Sequence, residues 1–201
     1  MTTLKDIEQH VLDDAAELIA SIGVATPLTA TTRVFELQGD QQKVALFLRA
    51  TLCRHVILVT LRLHARADTG RTGETASIES YVQYAEREGR ISATQAAEFR
   101  TERKAIIAKI ERDGIKFSEL VDFRNSELAH SLHCPQPLTN KLPTLPIWDF
   151  AYDTYELVLR IEMAVSGTGR LKNYFHEWLN RGNLFWPQEV AEDFSLPDVS
   201  H

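Results

Sequence analysis

The sequence predicts an all-α protein, an antiparallel bundle of helices. Three observations carry this. Apolar residues recur at helical spacing along most of the 201 residues, strand-like alternation is nearly absent, and the turn signals fall between long periodic segments joined by short connections. With 44% apolar and 25% charged residues the chain has the make-up of an ordinary globular protein, which excludes disordered and fibrous classes. A chain of this length can bury a sizeable core, and one helical domain over residues 1–181 with a tail over 182–201 is the expected organisation.

Taken in order, a first helix is expected from about Leu4 to Ile22, with Gly23 as its stop, and then an irregular connection from Val24 to Gln38 that contains Pro27. A second, long helix should run from Gly39 and Asp40 to about Ala67, followed by a loop over Asp68 to Thr75. A short helix from about Ser77 to Glu88 ends at Gly89. Ser92 and Gln95 form a capping box for the next, which runs to about Arg112 and stops at Gly114. The helix that begins near Ser118 must end before Pro135 and Pro137, because proline lacks the donor that a helix interior requires. After a proline-rich loop a long helix spans about Pro146 to Val165, closed by Gly167 and Gly169. A shorter one covers about Leu171 to Asn180, and the tail from Gly182 packs in part.

The net charge is −6, but it is unevenly spread: residues 40–116 carry 14 basic and 10 acidic groups and are net positive, while both flanking segments are acidic. Broad coating of nucleic acid is therefore not expected. The N-terminal segment carries acids where a signal peptide carries bases. The most apolar stretch, Val44 to Leu63, is interrupted by Arg49, Arg54, His55 and Arg62 and reads as a buried helix rather than a membrane span. Cys53 and Cys134 fit free thiols in a reducing cytoplasm.

The segment from Phe123 to His133 is the most informative for chemistry. On a helical wheel Phe117, Leu120, Val121, Leu128 and Leu132 define an apolar stripe with Arg124 in its middle. A guanidinium stays charged and is costly to bury unpaired, so a carboxylate or a bound anion is expected to meet it. The alternative is a structural Arg, either paired with an acid from another helix or with its stem crossing the rim of the core. His130 lies about 9 Å further along the axis and about 120° round it. Glu127 sits between the two and can reach either. That offset favours a homodimer in which a second copy of the helix completes the site.

The string Arg124-Asn125-Ser126-Glu127-Leu128-Ala129-His130 resembles the Arg-polar-spacer-His signature of the HEPN superfamily (higher eukaryotes and prokaryotes nucleotide-binding domains). The wording RNxxxAH, with a proline-rich loop and a long helix after it, is similar to the abortive-infection U-type branch. The resemblance implies a helical bundle that dimerises around a cleft between two motif helices, and for many members a metal-independent endoribonuclease of a phage-defence or toxin–antitoxin system. His130 then matches the motif histidine, a general acid or base for attack of a ribose 2′-hydroxyl on the adjacent phosphate. Arg124 matches the arginine that stabilises the phosphorane, and Asn125 the polar residue that orients histidine or phosphate. Glu127 lies in the spacer, so its role rests on the wheel alone. Other members keep the fold for nucleotide binding or protein interaction without cleavage, and that is the alternative function.

Further RNA contacts are expected from Arg100, Lys104 and Arg112 on one face of the helix after Ser92, and from His55 and Arg62 on the long second helix. A solvated face and a structural polar seam are the competing accounts. Expected partners are a second copy, an RNA substrate and an antitoxin, with no membrane. Metal readings are weaker: Glu127-x-x-His130 lacks the second such pair that a di-iron site needs, and His130, His133 and Cys134 from one helical turn make poor geometry. No cofactor is expected, as the chain has no glycine-rich phosphate loop and no nucleophile elbow.

Overall fold

The computed structural model describes residues 3–30, 37–65, 76–130 and 144–185, the side chains at 27–30, 126–130, 144–145, 175 and 183–185 excepted. These residues form seven helices and, among them, no strand: α1 (Leu4–Ala30), α2 (Gly39–Leu63), α3 (Ile78–Arg87), α4 (Ala93–Arg112), α5 (Phe117–His130), α6 (Thr144–Ser166) and α7 (Tyr174–Phe185). The protein is all-α.

Local chemistry starts and stops most of them. Thr3 opens α1 by donating its backbone N–H to Asp6 Oδ2 (2.9 Å), while its hydroxyl oxygen accepts from the Asp6 N–H (3.2 Å). The hydrogen bonds to Thr3 hold the Asp6 carboxyl below the usual range. Ser77 and Ser80 make a reciprocal capping box on α3, and Ser92 and Gln95 make the expected one on α4. The turns after α3 and α4 use Gly89 and Gly114 at φ 68° and 87°, where a side chain would be strained.

α1 does not stop at Gly23. It runs on through Pro27 to Ala30, so Gly23 is a helix-interior glycine. The reason is tertiary. A Cβ at Gly23 would sit 2.8 Å from Trp178 and from the Leu179 backbone nitrogen, so only glycine lets α7 approach this closely. α7 reaches Phe185, three residues past the expected start of the tail, and Gly182 forms the other half of the crossing. Of the expected connection, Val24 to Ala30 is therefore helix, and residues 31–36 lie outside the described residues. α2 ends four residues early, at Leu63 with His64 as its cap. α6 starts before Pro146, which occupies the first turn, where its missing N–H costs nothing. The loop over 68–75, the segment 131–143 and the tail beyond 185 lie outside the described residues.

One face of α1 supplies Ile7, Val11, Ala15, Leu18, Ile19 and Ile22 at helical spacing, all buried, and packs against α7, α2 and α6. Each such leucine or isoleucine contributes roughly 1.5–3 kcal/mol by leaving water. The second half of α2, α3 and the inner face of α6 (Phe150, Leu157, Val158, Ile161) complete one contiguous core. α4 buries little beyond Ala96, Ile106 and Ile110. Phe99 and Ile107 pack against the core beside them, and ion pairs add to this: Arg100 to Glu79 (3.0 Å) and Glu86 (2.9 Å) of α3, and Lys109 to Asp153 of α6 (2.7 Å).

α2 departs from the expectation of a buried helix. By length and composition it is apolar enough to cross a membrane, yet only 33% of its most apolar window is buried, all toward the C-terminal half apart from Ala45. Val44 and Phe47 stand in the open at 56% and 69% exposure.

Candidate functional site

α5 carries the RNxxxAH motif. It packs against α2 and α4 through Leu120 and Phe123, both buried, while Phe117 turns its ring edge toward His64 and Phe150 (centroids 6.2 Å from each). Phe123 shifts the buried stripe. Burial centres between Leu120 and Phe123, with Phe117, Val121 and Arg124 half-buried on its flank, so Arg124 stands about 70° from the centre rather than in the middle. The stripe drawn from the sequence left Phe123 out because Leu128 and Leu132 pulled its mean direction away.

From the flank, Arg124 needs no buried counter-charge. Its guanidinium donates to Asn125 Oδ1, from Nη2 at 3.1 Å and from Nε at 3.4 Å, and among the described residues no carboxylate forms an ion pair with it. The expected carboxylate is thus replaced by the neighbouring amide. With its oxygen engaged, the exposed Asn125 has its amide N–H groups left to offer, so the two side chains together present hydrogen-bond donors and no vacant acceptor. A donor-only rim with one positive charge suits a phosphate or carboxylate oxygen. Glu127 and His130 lie three and six residues further along α5, and their side chains are outside the described residues.

The other expected RNA contacts divide. Lys104 and Arg112 are exposed on α4. Arg100 is tied to Glu79 and Glu86, His55 Nε2 lies 3.0 Å from Glu17, and Arg62 Nη2 meets Asp14 (2.8 Å) and Glu17 (2.9 Å). These three serve the scaffold, joining α4 to α3 and α2 to α1. Burial raises the Asp14 carboxyl above its ordinary value, with Arg62 opposing the shift. Cys53 is a half-buried free thiol whose pKa burial also pushes up, and Cys134 and His133 lie outside the described residues.

Two buried polar groups were invisible in the sequence. Thr154 spends its hydroxyl proton on the Phe150 carbonyl (2.6 Å), so His64 Nε2, 2.9 Å away, is the donor in their contact. The ring stacks on Phe150 at 5.0 Å, and Arg103 Nη2 donates to the His64 carbonyl at 2.6 Å. Full burial, and then the Arg103 charge, push the imidazole pKa down to about 3, so it is neutral. Glu162, also fully buried, accepts from the Arg170 backbone N–H (3.1 Å) and Nε (2.9 Å), and Arg170 Nη2 reaches Glu8 of α1 (2.5 Å). That chain of charges fastens the turn after α6 onto α1. Its partners are distant in sequence or separated by glycines, and no periodicity announces them.

Among the described residues no group of three or more His, Cys, Asp or Glu side chains gathers as a metal ion would need. No protein-family model, no curated protein and no solved structure matches the chain.

Proposed function

We propose that the protein is a HEPN-type, metal-independent endoribonuclease of a phage-defence or toxin–antitoxin system, with its helices arranged as an antiparallel bundle and acting as a homodimer. The observation that supports this best is the pairing of Arg124 with Asn125, which turns donors outward on the helix that also carries His130. In this reading the guanidinium and the amide hold the non-bridging oxygens of one phosphodiester. His130 takes the proton from the adjacent 2′-hydroxyl as general base. The 2′-oxygen bonds to phosphorus, the P–O5′ bond breaks, and the products are a 2′,3′-cyclic phosphate and a 5′-hydroxyl whose proton comes from water or the second motif. Glu127 stands between the two residues on α5, where it can orient either.

The test is incubation of the purified protein with total RNA, with and without EDTA, beside His130→Ala. Chelator-resistant cleavage that the variant lacks is the expected result, and cleavage abolished by EDTA or undiminished in the variant refutes the mechanism.

A non-catalytic HEPN module that binds nucleotide or protein is the second reading. The observation favouring it is that Arg100, His55 and Arg62 are engaged by carboxylates, which leaves a narrow basic surface for an RNA backbone. A well-folded protein that binds a nucleotide through Arg124 and cuts no RNA decides for it.

A further inference from the structure

Three aromatic rings from three helices meet where α5 begins. The His64 imidazole, at the end of α2, stacks on Phe150 of α6 with ring centroids 5.0 Å apart, and Phe117, the first residue of α5, sets its edge against both at 6.2 Å. Among the three rings only the imidazole can take up a proton. His64 is 2% exposed, its Nε2 is engaged by Thr154 (2.9 Å), and its Nδ1 is buried with no hydrogen-bond partner among the described residues. A protonated ring would need an acceptor at Nδ1, and the surrounding elements supply none. α5 presents Phe117 and α6 presents Phe150 and Thr154, all without charge, while α4 presents the Arg103 guanidinium, a like charge bonded to the His64 carbonyl. Neighbouring carboxylates are engaged elsewhere: Glu79 of α3 approaches Arg103 (3.7 Å), and Asp153, beside Thr154 in α6, holds Lys109 (2.7 Å).

Of the helices at this junction, α5 has the least to hold it. Among its described side chains only Leu120 and Phe123 are buried, whereas α6 runs through the core with Phe150, Leu157, Val158 and Ile161. Local opening takes the most lightly anchored element first. We propose that His64 is an acid-operated release for the motif helix: a protonated imidazole is compatible only with Phe117 withdrawn, so lowering the pH frees α5 from α2 and α4 while the core of α1, α2 and α6 stays closed. With Phe117 gone the ring meets water, where an imidazole titrates near 6.5. In the closed state burial, and then the Arg103 charge, hold it at about 3. Proton uptake therefore favours the open state, and its population should rise about 25-fold between pH 7 and pH 5. Because α5 carries Arg124, Asn125 and His130, release takes that site apart. Only this last consequence rests on the function proposed above.

Amide hydrogen exchange followed by NMR at pH 7 and pH 5, without RNA and with intrinsic rates corrected, tests the release separately from cleavage. At pH 7 the amides of Leu120 to Arg124 are expected to be less protected than those of Val11 to Leu18 in α1, and at pH 5 to lose about 25-fold of that protection. His64→Phe, which keeps a ring on Phe150, should lose none of it. Equal protection in α5 and α1 overturns the proposal, because the helix then opens only with the whole fold. So does a pH 5 loss that persists in His64→Phe, or its absence from wild type. Should the variant fail to fold, the wild-type His64 Hε1 resonance decides: it should stay at its neutral position down to pH 5, and titration near 6.5 with the α5 amides still protected overturns the release.

Discussion

Gly182 of α7 lies so close to Gly23 of α1 that a Cβ on Gly182 would fall 2.6 Å from the Gly23 carbonyl oxygen. Pro27, one turn on from Gly23, has no N–H for that carbonyl, so the oxygen that the helix leaves without its usual partner is the one facing α7. Two glycines and a proline, all of which weaken an isolated helix, here let two helices touch backbone to backbone.

Alanine at either glycine therefore pits two effects against each other. Helix propensity favours the change by up to about 1 kcal/mol, while forcing backbone apart in a packed interface costs about 1–3 kcal/mol or more. The obstructing atoms at both sites are mainly backbone, which cannot rotate away, so Gly23→Ala and Gly182→Ala should each lower Tm by several degrees. A Tm equal to or above wild type for Gly182→Ala would show that the crossing is looser than it stands.

His64 makes stability depend on pH. Its folded pKa of about 3 lies well below the value near 6.5 of an unfolded imidazole, so the unfolded state binds the proton first. The stabilisation is complete above about pH 6.5 and is lost progressively as pH falls toward 3, amounting to about 2 kcal/mol by pH 5. Urea unfolding at pH 7 and pH 5 should show that loss in wild type and less of it in His64→Phe. The phenyl ring can still stack on Phe150, and Thr154 keeps its bond to the Phe150 carbonyl. The same loss in both proteins would assign the acid sensitivity elsewhere.

Removing the guanidinium of Arg100 leaves Glu79 and Glu86 without one shared cation, although Arg103 still approaches Glu79 at 3.7 Å. Because the pair is only partly buried, Arg100→Ala should cost about 1 kcal/mol. Lys104→Ala and Arg112→Ala, on the open face of α4, should stay within about 0.5 kcal/mol of wild type. Any role in holding RNA then appears in the latter two as weaker retention on a filter at unchanged Tm. A stability-neutral Arg100→Ala would contradict its place in the scaffold.

Glu162 is a fully buried carboxylate, and its loss is felt through the groups it accepts from. Glu162→Leu leaves two backbone N–H groups and Arg170 Nε without their acceptor, while the half-exposed guanidinium keeps Glu8, so the loss is about 1–3 kcal/mol. Chemical denaturation should place the variant below wild type, with Glu162→Gln between them because its amide oxygen still accepts.

For the motif, Arg124→Ala should leave the unfolding curve close to wild type, since Arg124 sits on the flank of the buried stripe and bonds only Asn125 among the described residues. Under the proposed ribonuclease mechanism, cleavage should fall by about 10²–10⁴-fold in His130→Ala. Arg124→Lys separates the roles: it keeps the charge but loses the fork that binds a phosphate through two oxygens, so partial rescue is expected in a gel assay.

What the sequence by itself determined is what a few neighbouring residues decide. The all-helical class, the Ser92–Gln95 box, and the stops at Gly89, Gly114 and Gly167 all rest on hydrogen bonds closed within one or two turns, and all stand where the pattern put them. The RNxxxAH string was legible for the same reason, as it occupies one helix. Tertiary structure decided the rest. Gly23 looks like a stop until α7 arrives, and Phe123 looks peripheral until the core encloses it. Arg100 and Arg62 look available until Glu79, Glu86, Asp14 and Glu17 reach them from other helices. Val44 and Phe47, in the first half of α2, are left uncovered by the other described residues. Hydrophobicity fixes how much surface seeks cover, but which helix supplies that cover depends on partners tens of residues away.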